Sequence, residues 1–162
     1  MNGHVRPLRL PADCPPATNC GVEITLHSGE KAAIIASYLP QPMEEHKRTC
    51  HALARLHATL PYHLLIIGGD LQGGWTCPNP KDAHIHTLPF SRWRGAENPT
   101  FVPPHLPGVA TCIDHLTIWD PRHLSEQIVT PSPSPPLLDH KGVMWTMHLP
   151  VLMRRPLLLH LP

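Results

Sequence analysis

Asp70, Asp114 and Asp139 are the residues of this chain best placed to do chemistry, because each sits where an apolar stretch of strand length begins or ends. In His63-Leu64-Leu65-Ile66-Ile67-Gly68-Gly69-Asp70-Leu71-Gln72 a continuous aliphatic run closes on two glycines, then an acid, and two residues later an amide. A buried strand ending this way delivers a carboxylate to the rim of a sheet, where layered α/β folds often carry active sites. Cys112-Ile113-Asp114-His115 and Leu138-Asp139-His140 each place a histidine directly after the acid, and Tyr38 lies near the end of Ala36-Ser37-Tyr38-Leu39-Pro40. Carboxylates hold hard cations or take a proton, and phenol and imidazole can give one. A Gly-Gly-Asp turn is also a common way to leave a sheet, so the stretch alone decides nothing.

The elements that must position these residues follow from periodicity. Val22, Ile24 and Leu26 alternate with polar residues, His27-Ser28-Gly29-Glu30 supplies a turn, and Ala32 to Tyr38 is again β-rich, which predicts a hairpin stopped by Pro40. Pro42, then Glu44 and Glu45, mark a helix start, and Cys50, Leu53, His57 and Leu60 recur at intervals of three and four. A helix from about Met43 to Thr59, closed by Pro61, is the expectation. Strand, strand, helix and the central strand Tyr62 to Ile67 then imply a layered α/β fold.

Leu71 to Thr100 reads as a long connection, within which Trp75, Trp93 and Arg94 can stack on a base or clamp a phosphate, or pack beneath the loop. Thr111 to Trp119 reads as a strand with an acid near its start. Pro131-Ser132-Pro133-Ser134-Pro135-Pro136 reads as an extended spacer unable to pair in a sheet, ahead of a last β-rich run. The expected organisation is an irregular lead-in over 1–20, a domain over 21–149 and a proline-broken tail over 150–162.

Composition narrows the partners. In 162 residues there are 22 prolines and only 15% charged residues, so elements must be short and loops many. A net charge of +1 gives no field that argues for nucleic acid or a membrane surface. The N-terminus lacks a secretory apolar core and no stretch has the length of a membrane span, so no membrane partner and an intracellular location are expected. Five scattered cysteines, none in a C-x-x-C pair, indicate neither a disulfide framework nor a zinc site. The 14 histidines, His84-Ile85-His86 included, show no ligand spacing, and the helix histidines His46, His51 and His57 receive no role.

Tyr38 before Leu39-Pro40, Gly69-Asp70-Leu71-Gln72, Ile113-Asp114-His115 and Asp139-His140 resemble, in order and rough spacing, the motifs of the endonuclease/exonuclease/phosphatase superfamily. Within it the segment from about Val22 to Val143 looks most like the endonuclease domains of LINE-type retroelements, which would allow a nuclear location. The resemblance implies a two-sheet α/β sandwich and divalent-metal-dependent phosphodiester hydrolysis, on DNA or another phosphodiester, with Mg2+ or Mn2+. It implies Asp139 and Asp70 as metal ligands and Asp70 as the group that orients or deprotonates the attacking water. His140 would face the phosphate with Asp114 fixing its tautomer, Tyr38 would donate a proton to a phosphate oxygen, and Gln72 would contact the phosphate and brace Asp70.

The chain departs from that family at Gln72, where the family has asparagine, at Leu138 before Asp-His, and at His115 after Asp114. Nothing in residues 1–20 matches the family's glutamate-bearing upstream strand, whose glutamate is a principal metal ligand. The expectation is therefore an incomplete sandwich, truncated at the N-terminus, that is marginally folded and weakly active. The alternative is a catalytically degenerate remnant with no enzymatic role.

Overall fold

The computed structural model describes residues 4–26, 29–59, 62–72, 85, 88, 92–95, 100–105, 108, 111–120, 127–128, 132–137, 140–144 and 147–148; for 92–95 and for the strands beyond residue 120 it describes the backbone pairing alone. The expected hairpin forms between β2 (Asn19–Thr25) and β3 (Lys31–Ser37), antiparallel with Val22 opposite Ile34. The expected helix is α1 (Met43–Thr59), with Glu44 and Glu45 in its first turn. It is the crossover that lets β3 pair in parallel with β4 (Leu64–Asp70), since parallel neighbours cannot be joined by a tight turn.

β6 (Asp114–Trp119) runs antiparallel to β4, completing the centre of a six-stranded sheet of order β1-β2-β3-β4-β6-β5. β1 (His4–Pro7) forms one edge against β2, so the expected irregular lead-in holds a short strand that ends, as edge strands tolerate, in a proline. β5 (Arg92–Gly95) pairs with β6 at the other edge, so the long connection after Asp70 also carries a strand; Arg-Trp-Arg-Gly has too short a pattern to show it. The side chains of Trp93 and Arg94, and all of Trp75, lie outside the described residues.

The proline run does pair. β8 (Ser132–Leu137) is antiparallel to β9 (His140–Met144), with a register shift between Pro133 and Pro136. In a two-stranded ribbon half the backbone nitrogens point away from the partner, so prolines lacking N–H can occupy those positions. A second ribbon joins β7 (Gln127–Ile128) to β10 (Met147–His148). The described residues thus form a mixed α/β fold of one large sheet, two ribbons and one helix. Among them no helix is long and apolar enough to cross a membrane.

The two faces of the large sheet are unlike. Ala33, Ile35, Leu65 and Ile67 face α1 and pack with Cys50, Ala52, Leu53 and Leu56 in one buried cluster. Burial pushes the Cys50 thiol up to about 12 and the Cys14 thiol to about 11, so both remain inert thiols. His57 meets Trp119 edge-on with ring centroids 4.5 Å apart, and burial holds its imidazole below the ordinary value. At the rim, Tyr62 donates its hydroxyl hydrogen to Glu23 at 2.9 Å, and Arg6 pairs with the same carboxylate at 2.7 Å.

On the opposite face Ala32, Leu64, Ile66, Leu116 and Ile118 form a second buried cluster. Toward the β1 edge this face opens: Ile34 is 39% exposed, Val22 36% and Val5 63%.

Candidate active site

Strand register places Tyr38, Asp70 and Asp114 together. Asp70 and Asp114 are direct partners across the antiparallel β4–β6 ladder, which sets their Cβ atoms roughly 5 Å apart on one face. Side chains alternate, and Leu116 lies two residues on from Asp114, so both acids share the face of Leu116 and Ile118, away from α1. Ala36 pairs with Gly68, so two residues further Tyr38 stands beside Asp70; the Leu39 N–H donates to the Asp70 carbonyl at 2.9 Å. The Tyr38 side chain is 40% exposed, as a group meeting a substrate needs to be.

Gly69 permits this crowding. Its φ of +138° is open only to glycine, and a Cβ there would lie 2.2 Å from the Ser37 carbonyl oxygen. Ser37 in turn donates its hydroxyl hydrogen to Asn19 at 2.6 Å, which ties β3 to the start of β2 directly beneath Tyr38. The Tyr38 N–H donates to the Thr18 carbonyl at 2.8 Å. On the Asp114 side, the Leu71 N–H donates to the Ile113 carbonyl at 2.9 Å. The buried Thr100 hydroxyl accepts from the N–H groups of Ile113 at 3.2 Å and Asp114 at 3.3 Å.

Gln72 grips Asp70 twice. Its backbone N–H donates to Asp70 Oδ1 at 3.1 Å, an Asx-type turn, and its side-chain Nε2 donates to Oδ2 at 2.7 Å. The backbone at Gln72 is left-handed, φ 57°, and that curl folds the longer side chain back onto the acid two residues earlier. The extra methylene relative to asparagine is therefore absorbed by the turn. Gln41, in the loop between β3 and α1, donates its Nε2 hydrogen to Gln72 Oε1. Gln72 itself is buried, with 7% exposure, so its amide orientation is set by these partners.

For two expected site residues no side chain is described. Asp139 lies outside the described residues, between β8 and β9, and His140 is the first residue of β9 with its side chain outside the description. His115, directly after Asp114, is buried and turned with Gly69 to the α1 side. Thr100 and Gln41 were not singled out from the sequence. A lone Thr or Gln in a proline-rich stretch carries no periodic signal, although Gln41 follows Tyr38-Leu39-Pro40 directly.

A divalent cation needs hard oxygen donors. Among the described residues no group of three or more His, Cys, Asp or Glu could hold one. Mg2+ commonly takes only one or two carboxylates with water completing its shell; of the two that the resemblance implies, Asp70 stands at this strand end as a hard oxygen donor that fits such an ion, and Asp139 lies outside the described residues.

No family model matches the chain, and no curated protein matches it in sequence. Solved structures do. D. rerio TDP2, in complex with a single-stranded DNA product, is similar over 89% of this chain and 68% of its own, with TM-score 0.55 and 16% identity. Staphylococcus aureus beta toxin is similar over 80% of this chain and 56% of its own, with TM-score 0.57 and 13% identity. A Cimex nitrophorin, a ferrous NO complex, is similar over 88% of this chain and 62% of its own, with TM-score 0.53 and 10% identity. The chain thus spans between about half and two thirds of the length of these structures. TDP2 and beta toxin have the endonuclease/exonuclease/phosphatase fold, and at these identities the likeness shows that this chain shares that fold in part.

Proposed function

We propose that this chain is a metal-dependent phosphodiester hydrolase of the endonuclease/exonuclease/phosphatase superfamily, acting on DNA, similar to the endonuclease domains of LINE-type retroelements. The observation that supports it most is the convergence of Tyr38, Asp70 with its Gln72 brace, and Asp114 at one end of one sheet face. Fold alone would not carry the reading, since a nitrophorin shares it. Of the neighbours, TDP2 was solved with single-stranded DNA product and a beta toxin variant, TM-score 0.50, with bound magnesium ions.

In this reading Asp70, held as an acceptor by Gln72, orients the attacking water and takes its proton. Tyr38 donates from its phenol to a phosphate oxygen as charge builds there. Asp114 bonds one ring nitrogen of His140 so that the other faces the phosphate as a donor. Asp70 and Asp139 would hold Mg2+ or Mn2+, which when bound neutralises charge on the phosphate and the leaving oxygen. The sandwich of the superfamily would place its second sheet over Ile66 and Ile118.

A degenerate remnant is the second reading, and the open apolar face at Val5, Val22 and Ile34 favours it. In the superfamily that face meets further structure, including a glutamate-bearing strand with no counterpart in residues 1–20. Incubation with supercoiled plasmid and an abasic-site duplex separates the two readings. The hydrolase reading expects nicking that requires Mg2+, stops with chelator and is lost in Asp70→Ala and His140→Ala. Equal traces in wild type, variants and chelator would leave the remnant.

A further inference from the structure

We infer that Gln41 is a positioning residue: by donating to Gln72 Oε1 it holds the Gln72 amide in the direction that Asp70 requires and so keeps Asp70 gripped as a carboxylate, a role that rests on the hydrolase reading above for its catalytic meaning. The argument starts from the acid. A carboxylate can only accept, so the Gln72 atom against Asp70 Oδ2 must be Nε2, at 2.7 Å. That choice turns Gln72 Oε1 the other way. An amide oxygen can only accept in its turn, so the group that meets it must be a donor, and Gln41 Nε2 is that group.

The three side chains therefore form a polarised relay with one permitted direction, Gln41 to Gln72 to Asp70. Gln72 is buried, which makes reversal of its amide costly: the reversed form would set Oε1 against the carboxylate and give up the hydrogen bond that Gln41 Nε2 donates. The Asx turn at Gln72 N–H holds the other carboxylate oxygen, so Asp70 is clamped at both atoms only while the side-chain amide keeps its direction. Gln41 lies on the exposed loop ahead of α1, outside the buried core, and is linked to the acid through Gln72.

The test replaces the donor while keeping the shape. Gln41→Glu is isosteric and, ionised at neutral pH, can only accept; Gln41→Met has similar length and no hydrogen bond. In 15N-labelled protein the Gln72 side-chain amide, assigned by its loss in Gln72→Met, should be protected from exchange in wild type. It should exchange about tenfold faster in both Gln41 variants, the equivalent of one net hydrogen bond. Backbone resonances of β3, β4 and β6 should stay in place, which shows that the sheet is intact. An isosteric Glu that leaves the Gln72 amide protected overturns the inference, as does unchanged exchange in Gln41→Met.

A kinetic arm separates the inference from the reading it rests on. If wild type nicks plasmid with Mg2+, the Gln41 variants should lower kcat with KM unchanged, and should add nothing in a Gln72→Met background. Losses in Gln41→Met that are the same with and without Gln72 would overturn the relay. If wild type does not nick at all, the hydrolase reading fails while the amide exchange still decides whether Gln41 directs Gln72.

Discussion

The face of the large sheet that meets α1 and the face that looks away from it are made from the same strands by simple alternation, yet they serve different ends. Toward α1, Ala33, Ile35, Leu65 and Ile67 are sealed beneath Cys50, Leu53 and Leu56. Away from it, Leu64, Ile66, Leu116 and Ile118 are buried, Val22 and Ile34 are open, and the same face carries Asp70, Asp114 and Tyr38 at its end. One face is closed over an apolar cluster, with Glu23 and His115 among its few buried polar residues; the other is half closed and ends in acids. A fold that divides its labour this way can keep its core while its site changes or decays.

The junction between the faces is the point where the contrast breaks most sharply. Gly69 lets β4 pass close against the Ser37 carbonyl just before Asp70, and Gly69→Ala would force a methyl into that carbonyl at a backbone angle that alanine rarely adopts. The expected loss is about 4 kcal/mol, the upper end for one substitution, read by denaturant unfolding together with loss of any plasmid nicking. On the sealed side, Leu53→Ala leaves a cavity where nothing can collapse without moving β3 or β4. It should cost about 3 kcal/mol in the same measurement, and a cost below 1 would mean that the helix is loosely held.

Acid should undo the sealed side through Glu23. Burial alone would raise its carboxyl, but the Tyr62 hydrogen bond and the neighbouring Arg6 and Lys31 outweigh that and hold it below the ordinary glutamate value. A carboxyl lowered on folding stabilises the protein above its unfolded value and loses that contribution as pH falls through the lower folded one. Stability should therefore drop below about pH 4.5, and Glu23→Gln should flatten this part of the profile. Thermal unfolding of both proteins across that range reads the difference, and parallel profiles would assign the acid sensitivity to other groups.

How much of this was legible in the sequence follows the same division. α1 was readable to its ends because a three-and-four apolar spacing with Pro42 and two acids ahead of it admits little else. β2, β3 and β6 were readable because one side of each alternates. β1 and β5 were not: four residues are too few to show a period, and each is held by pairing with the strand that follows it across an irregular connection. β8 was misread because proline argues against a ladder only where its N–H would be needed. At the site, Asp70 and Asp114 were legible as acids at strand ends, but their opposition is a matter of register, which depends on strands 43 residues apart and not on any local pattern. Gln72 reads in sequence only as a departure from the family's asparagine; the left-handed turn that accommodates its added methylene is a backbone property.

The smallest expected effect tests the open half of the comparison. Ile34 sits between Val22 and Ile66 in register, and its side chain is 39% exposed where its neighbour in β4 is 8%. If nothing covers that half of the face in solution, Ile34→Thr removes little burial and keeps the β-branched shape a strand favours, so stability should change by no more than about 0.5 kcal/mol. Binding of an apolar dye should fall, more so with Val22→Thr added, because the two share one patch. A loss for Ile34→Thr that approaches that of Leu53→Ala, with dye binding already low in wild type, would mean that the face is covered. The contrast between the two faces would then vanish, and with it the observation that favours the remnant over the hydrolase.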